Sequence, residues 1–328
     1  MNAAETASAA AVRTGDEATF AELVEPHRRE LQVHCYRMLG SLEDSEDLVQ
    51  ETFLRAWRSR RSFEGRASFR SWLYRIATNA CLDTIERRSR VATDAIQPLA
   101  EVPWLQPYPD HLLEEVAGGE PEPEEEVVAK ETIELAFIAA IQLLPPRQRA
   151  ALICRDVLGW SAAESAALLD LTVPALNSAL QRARATLKEH MPRRRTDWQR
   201  SSERSVEEQA LLQGYMDAME HGDPAEMIEL LREDAFCAMP PDWYIGREQI
   251  IQAWVEGGFG DDSWGHLRCL RTQVNAQPAV ACYVKRAGDS TYRPLVLDVL
   301  RFEGGEVVEI TAFRLEPLLG ALNLPPRL

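Results

Sequence analysis

Two sets of side chains early in the chain have types and spacing suited to recognition, and their charges are opposite. In DSEDLVQETFLRAW (Asp44–Trp57), Asp44, Asp47, Gln50 and Glu51 share one face of a helical repeat, and Leu48, Val49, Phe53, Ala56 and Trp57 form the other. The loop RSRRSFEGRAS (Arg58–Ser68) turns at Phe63 and Gly65. The run FRSWLYRIATNACLDTIERR (Phe69–Arg88) then buries Phe69, Trp72, Leu73, Ile76 and Ala80, while Arg70, Tyr74, Arg75, Thr78, Asn79 and Asp83 reach outward or border that stripe. Phosphate repels the carboxylates and attracts the arginines, so the first set suits a protein receptor and the second a nucleic acid. The six cysteines include no CxxC pair and no His/Cys cluster with zinc spacing, so no metal site is expected and most read as buried apolar residues in a reducing compartment.

Helices must hold these groups. Asp16 opens a helix through FAELVEPHRRELQVHCYRMLGS, with Pro26 at a break and Gly40 as C-cap, and the domain closes near residue 91. DSEDLVQETFLRAWR followed by FEGRASFRSWLYRIATN resembles region 2 of the extracytoplasmic-function (ECF) sigma factors of bacterial RNA polymerase. The resemblance implies that Asp47, Gln50, Glu51 and Leu54 face the polymerase clamp. It also implies that Phe63, Arg66, Arg75, Asn79 and Asp83 act at the −10 promoter element.

Residues 92–126 are a proline-rich linker with ten acidic side chains and no lysine or arginine. Its GGEPEPEEE run reads as solvated chain. Trp104, Leu105 and Tyr108 are poorly suited to water and are expected to dock between domains, on the chain itself rather than on a partner. Residues 127–192 return to helical periodicity. Pro145 and Pro146 start one helix, and Ser161 with Glu164 makes a capping box. Thr172 and Pro174 then start a helix that turns Leu176, Leu180, Ala183 and Leu187 inward. Asn177, Ser178, Gln181, Arg182 and Arg184 are left for a DNA groove, a helix-turn-helix pattern that a plain helical hairpin also fits. LPPRQRAALICRDVLGWSAAESAALLDLTVPALNSALQRAR resembles region 4 of the same family, which implies that these five residues act at the −35 element and that this domain meets the polymerase flap. The basic residue common in the family near Asn177 and at Ala179 is absent, so an unusual −35 preference or a weaker hold on phosphate is expected.

Residues 193–204 are a basic hinge with Arg193–Arg195, residues 205–320 a third domain, and 321–328 a tail. Two helices divided at Gly222-Asp223-Pro224 precede a short strand AFCAMP, a helix GREQIIQAWVEG and four strands of a curved antiparallel sheet, with a hairpin at Gly304-Gly305. This domain resembles the SnoaL-like branch of the NTF2-like superfamily, and the whole chain resembles the SigG- or SigJ-like subgroup of ECF sigma factors. Such cones enclose a pocket, with Trp243, Tyr244, Trp254, His266, Tyr283, Asp298 and Phe313 among the candidates to line it and to receive a small-molecule ligand. Some relatives of this fold are cyclases that use a pocket Asp and His, and the resemblance allows Asp298 with His266 as base and orienting group, although a satisfied buried pair or two surface groups is the preferred reading.

The net charge of −16 does not exclude a DNA reader, because residues 127–200 carry eleven basic against seven acidic side chains and the acid is concentrated in the linker and the third domain. Residues 1–15 read as disordered and carry no signal peptide, and no apolar run is long enough to span a membrane. The expected architecture is multidomain: two all-α sigma domains (a region 2 helical bundle over 16–91 and the region 4 helix-turn-helix), followed by an α+β NTF2-like cone. The expected protein is a cytoplasmic, non-enzymatic sigma factor without cofactors. It binds core RNA polymerase and promoter DNA, and its third domain regulates it in cis. Two alternatives stand beside it: a SnoaL-like cyclase or isomerase with regulatory DNA-binding domains, and a helix-turn-helix regulator independent of polymerase.

Overall fold

The computed structural model describes residues 12–14, 16–65, 67–89, 105–114, 133–190, 206–239, 242–261 and 264–328. The N-terminal eleven residues, Trp104, the GGEPEPEEE run and the 193–204 hinge lie outside them. Two compact units emerge. Among the described residues, the first takes the helices before the hinge together with Leu105–Pro107, and the second takes Tyr108–Asp110 and everything from Val206.

In the first unit, α1 (Glu17–Val24) is capped by Asp16, whose carboxylate accepts the Thr19 N–H at 2.9 Å. Pro26 sits in a 3-10 turn before α2 (Arg28–Leu39), as its missing N–H requires. Gly40 ends α2 at φ 71°, a conformation that side chains disfavour, so the backbone demands glycine there. The Ser41 hydroxyl caps α3 (Leu42–Ser59), and α4 (Phe69–Ser89) packs against α2 and α3. The inward stripe of α4 differs from the expected one. Leu73, Tyr74, Ala77, Thr78, Ala80 and Cys81 are buried, while Phe69, Trp72 and Ile76 are half-buried. Tyr74 and Thr78 can turn inward because their polar tips are satisfied there. The Tyr74 hydroxyl donates to Glu30 at 3.2 Å, and the Thr78 hydroxyl donates to the Tyr74 carbonyl and meets His34 Nε2 at 2.9 Å. Burial holds His34 neutral, its pKa pushed down to about 3.

The short α5 (His111–Glu114) precedes α6 (Leu135–Gln142) and α7 (Pro146–Leu152), which runs into a π-helical turn at Ile153–Val157. α8 (Ala162–Leu168) begins at the Ser161/Glu164 capping box, with bonds of 3.2 and 2.9 Å. Asp170, at φ 51°, makes the turn, and Thr172 caps α9 (Val173–His190). α6 and α7 pack on α2, and α7 and α8 pack on α4. Arg149 of α7 is buried, and its guanidinium donates to the Met38 carbonyl at the end of α2, to the Gln142 side chain and carbonyl, and to the Leu144 carbonyl.

In the second unit, α10 (Val206–His221) and α11 (Pro224–Leu230) lead into β1 (Leu231–Met239), β2 (Asp242–Ile245), α12 (Arg247–Glu256), β3 (His266–Val274), β4 (Gln277–Lys285), β5 (Arg293–Glu303) and β6 (Glu306–Arg314). The sheet order is β2-β1-β6-β5-β4-β3. The four strands read as antiparallel are so, β3 to β6 forming an antiparallel meander, and the addition of β1 makes the whole sheet mixed. The β3–β6 meander brings its last strand beside β1 in the same direction, giving parallel pairs such as Cys237↔Ile310. The stretch LRED is strand, not the end of a helix, because Leu231 pairs with Val307 and both are buried. Gly304 and Gly305, at φ 61° and 83°, make the expected hairpin. Leu212, Tyr215, Met219, Met227, Ile250, Phe259, Val280, Leu300 and Ile310 fill the core between the helices and the concave face of the cone. The C-terminal tail is part of this domain. Leu328 and Tyr292 exchange backbone bonds at 2.9 and 3.1 Å, and the Tyr283 hydroxyl donates to the Pro325 carbonyl.

Candidate nucleic-acid and partner interfaces

The outward face of α3 presents Asp47 and Gln50, with Leu54 half exposed at 50%. The other two carboxylates of that face have partners. Arg88 binds Asp44 at 2.5 Å, and Arg55 joins Glu51 (2.7 Å) to Asp83 on α4 (3.1 Å). An exposed leucine beside uncommitted acceptors suits a protein surface and is of no use against phosphate.

The expected −10 residues do not form one surface. Phe63 is buried, its ring centroid 5.1 Å from that of Trp72 and 5.8 Å from that of Phe69. It anchors the loop from below and is not displayed to bases. Arg66 lies outside the described residues. Arg75 and Asn79 are exposed on α4, while Asp83 is drawn toward α3 by Arg55. The expected −35 residues do share a face, with Asn177, Ser178, Gln181, Arg182 and Arg184 all exposed on α9. Arg184 is held bidentately by Asp156 at 2.6 and 2.9 Å. Arg182 makes no ion pair among the described residues and is the available cation of that face. Ala179, where the family often carries a basic residue, is buried.

Within the first unit the helix-turn-helix lies against α4. Arg75 pairs with Asp170 of its turn at 2.8 Å. The Trp160 ring stands edge-on to Tyr74 at 5.1 Å, with the Arg70 guanidinium 5.9 Å from its centroid. Both partners of the Arg75–Asp170 pair are half exposed or more, so it contributes ~0–1 kcal/mol. The Arg149 carbonyl cage ties α7 to the end of α2 within the same unit. Burial lowers the Arg149 pKa to about 10, which leaves it charged at neutral pH.

The linker residues are held in both units. In the first, Leu105 is buried, Gln106 N–H donates to the Gly40 carbonyl at 2.9 Å, Tyr36 donates to the Gln106 carbonyl, and the Gln106 side chain accepts from Ser41 and from Glu43 N–H. In the second, Tyr108 is buried, and it exchanges backbone bonds with Asn275 through the Asn275 side chain (2.7 Å) and N–H (2.8 Å). Ala276 N–H donates to Asp110 at 2.8 Å. Gln106, Asn275 and Asp170 escaped sequence reasoning because nothing in a lone polar residue marks it as a long-range partner.

The pocket candidates divide by face. Trp254 and Tyr244 pack on the concave core, and Asp298 joins them there, with Tyr215 donating to its carboxylate at 3.0 Å. Tyr283 and Phe313 have the opposite strand parity to the core residues Cys282 and Val284 and belong to the other side of the sheet. Trp243 is 44% exposed at the sheet edge. His266 is exposed at the end of β3 opposite Lys285, whereas Asp298 is opposite Val280, so the acid–base dyad that the cyclase reading needs is not assembled. Burial raises the Asp298 pKa to about 7, with the Tyr215 bond pulling the other way. The folded state therefore keeps this proton while the unfolded chain loses it, and stability falls as pH rises from about 4 to about 7 and is level beyond. Asp298→Asn is expected to remove that slope and to stabilise the protein at pH 8, by at most about 4 kcal/mol. Parallel urea titrations of both proteins at pH 5 and pH 8 check it, and equal pH slopes would refute it.

The chain matches the Sigma-70 region 2 family over residues 23–91 and the Sigma-70 region 4 family over residues 134–187. It is 41% identical over 330 residues to the ECF RNA polymerase sigma factor SigG of Mycobacterium tuberculosis, covering 96% of this chain and 86% of that one. It is 31% identical over 193 residues to the ECF RNA polymerase sigma factor SigE of Mycolicibacterium smegmatis, covering 58% and 69%. The crystal structure of the M. tuberculosis ECF sigma factor SigJ shares the fold, with a TM-score of 0.61 at 20% identity over 93% of this chain and 99% of that one.

Proposed function

The chain belongs to the ECF sigma factors of RNA polymerase, and from that premise we propose how its parts divide the work. As a sigma factor it is a non-enzymatic initiation factor that partners RNA polymerase and promoter DNA. Asp47, Gln50 and Leu54, with Glu51 behind them, dock on the clamp. Arg75 and Asn79 act at −10, and α9, with Arg182 as its free cation, acts at −35 while its domain meets the flap. The cytoplasm, where polymerase works, is its place of action. The carrying observation is that one unit bears both an acidic face with an exposed leucine and a helix-turn-helix with an uncommitted arginine. A DNA regulator independent of polymerase has no use for the first, and a cyclase lacks its dyad.

Within the first unit, regions 2 and 4 pack together in the free protein. The two promoter elements are named for positions about 25 base pairs apart, roughly two and a half turns of duplex and on the order of 85 Å. Regions 2 and 4 therefore part on the promoter, and Asp170 must release Arg75. The third domain regulates that step in cis by gripping Tyr108–Asp110 of the linker whose preceding residues region 2 holds. A small molecule in the cone would matter only by favouring one arrangement.

The test is transcription reconstituted from core enzyme, a promoter library and either the native protein or its Asn275→Gly/Asp110→Ala variant. Glycine keeps the positive φ of 55° at position 275 while removing the acceptor for Tyr108. Defined start sites that require this chain are expected, and the variant should change output severalfold at the same sites. Absence of such starts sinks the assignment of parts, whereas equal output from both proteins sinks only the regulation.

A further inference from the structure

Cys269 on β3 and Cys282 on β4 stand directly opposite each other, and their Sγ atoms are 3.4 Å apart. β3 is the edge of the sheet, and the Cys269 N–H turns away from β4 to donate to the Glu220 carboxylate at 2.7 Å. The two cysteines therefore occupy a non-hydrogen-bonded position of the antiparallel ladder, where opposed Cα atoms approach to about 4.5 Å. A disulfide spans Cα separations of about 4.4–6.8 Å, so the backbone already has the spacing such a bond needs. Both side chains point into the concave core, with both thiols free. No third ligand stands near enough for a metal among the described residues. Cys237, the remaining cysteine of this unit, is opposite Tyr244 and Ile310 and has no such partner.

The two thiols differ in setting. Cys282 is fully buried, 4.0 Å from the Asp298 carboxylate, and its contact with Cys269 together with burial pushes its pKa up. Cys269 retains 5% exposure on the edge strand and is the sulfur nearer to solvent. Burial alone would make an inert pair of core residues. Register and distance set this pair apart.

We propose that Cys269 and Cys282 form a reversible thiol–disulfide site, closed by hydrogen peroxide and reopened by a dithiol. The Cys269 sulfur, having given its proton to water, attacks one peroxide oxygen. The O–O bond breaks, and the departing hydroxide takes up a proton and leaves as water. The Cys282 sulfur then attacks the Cys269 sulfenic acid, the S–O bond breaks, and the Cys282 proton leaves with the hydroxyl as a second water. Two thiols lose two electrons and one peroxide gains them. The new bond would staple the β3–β4 hairpin, whose turn at Asn275 and Ala276 is the part that binds Tyr108 and Asp110.

The experiment treats the native full-length protein with hydrogen peroxide, blocks remaining thiols after unfolding and maps the digest by mass spectrometry. The expected product is a Cys269–Cys282 linked peptide, about 2 Da lighter than its two reduced halves together and lost on treatment with dithiothreitol. Cys269→Ser should abolish it and leave Cys282 open to alkylation. Alkylation of all six cysteines after oxidation overturns the proposal, as does Cys269 trapped as sulfinic acid beside a free Cys282, or linkage of either to another cysteine. The wild-type result decides even if the variant fails to fold.

Discussion

Asp47→Arg combined with Leu54→Arg is expected to weaken binding to core polymerase by on the order of 10²–10³-fold while α3 remains folded. Both positions are exposed and neither holds a neighbour, so the fold should shift by no more than about 0.5 kcal/mol. At the interface the double change removes an apolar contact and sets two cations against a surface that accepted an anion. Such like-charge juxtaposition costs several kcal/mol, and each ~1.4 kcal/mol is a factor of ten in affinity. Glu51 is left alone because its bond to Arg55 ties α3 to α4, and changing it would confuse docking with folding. Titration of labelled protein with core enzyme measures the effect, with circular dichroism as the check on the helix. Undiminished binding would move the docking surface elsewhere on the molecule.

Arg149→Met is expected to loosen the first unit more than a surface change could. Methionine fills a similar volume but leaves the Met38, Gln142 and Leu144 carbonyls without the donor that reaches all of them. Each buried acceptor left unpaired costs about 1–3 kcal/mol, so a loss of about 3 kcal/mol or more follows, and a fall of ~6–12 °C in the unit's melting midpoint. Arg149→Lys, with a charge but no fork, should fall between. Because the cage joins α7 to the end of α2, the same change should let regions 2 and 4 part in the free protein. That is read as a larger radius of gyration by small-angle scattering. A midpoint within about 2 °C of wild type would show that packing alone holds the contact.

Much of this was legible before any coordinates. The caps at Asp16, Ser161 and Thr172, the break at Pro26 and the hairpin at Gly304-Gly305 are local, and local chemistry decides them. The faces of α3 and α9 follow from period alone, which is why Asp47, Gln50, Leu54 and the five residues of α9 are found outside. What failed was whatever depended on a distant partner. Tyr74 and Thr78 carry polar tips that place them outward or on the border of the stripe, but Glu30 and His34 satisfy them within. Phe63 was expected at the DNA for want of any sign that Phe69 and Trp72 would close over it. The parallel β1–β6 pairing and the separation of Asp298 from His266 are properties of topology, which no stretch of sequence contains by itself.

The ion pair between Arg75 and Asp170 also bears on how promoter binding should respond to ionic strength. A side chain that meets a phosphate from water displaces a condensed counterion from the DNA, and each such contact steepens the fall of affinity with salt. In its proposed role Arg75 would come to the DNA from a carboxylate and not from water alone. That carboxylate would then be freed to gather cations, so part of the release at the phosphate would be repaid at Asp170. The dependence on salt should therefore be shallower than a count of arginines at the promoter suggests, and Asp170→Asn should restore the missing steepness. With Arg75 in its proposed role at −10, Asp170 is an internal stand-in for the phosphate and would buffer this sigma factor's hold on DNA against the ionic conditions of the cell.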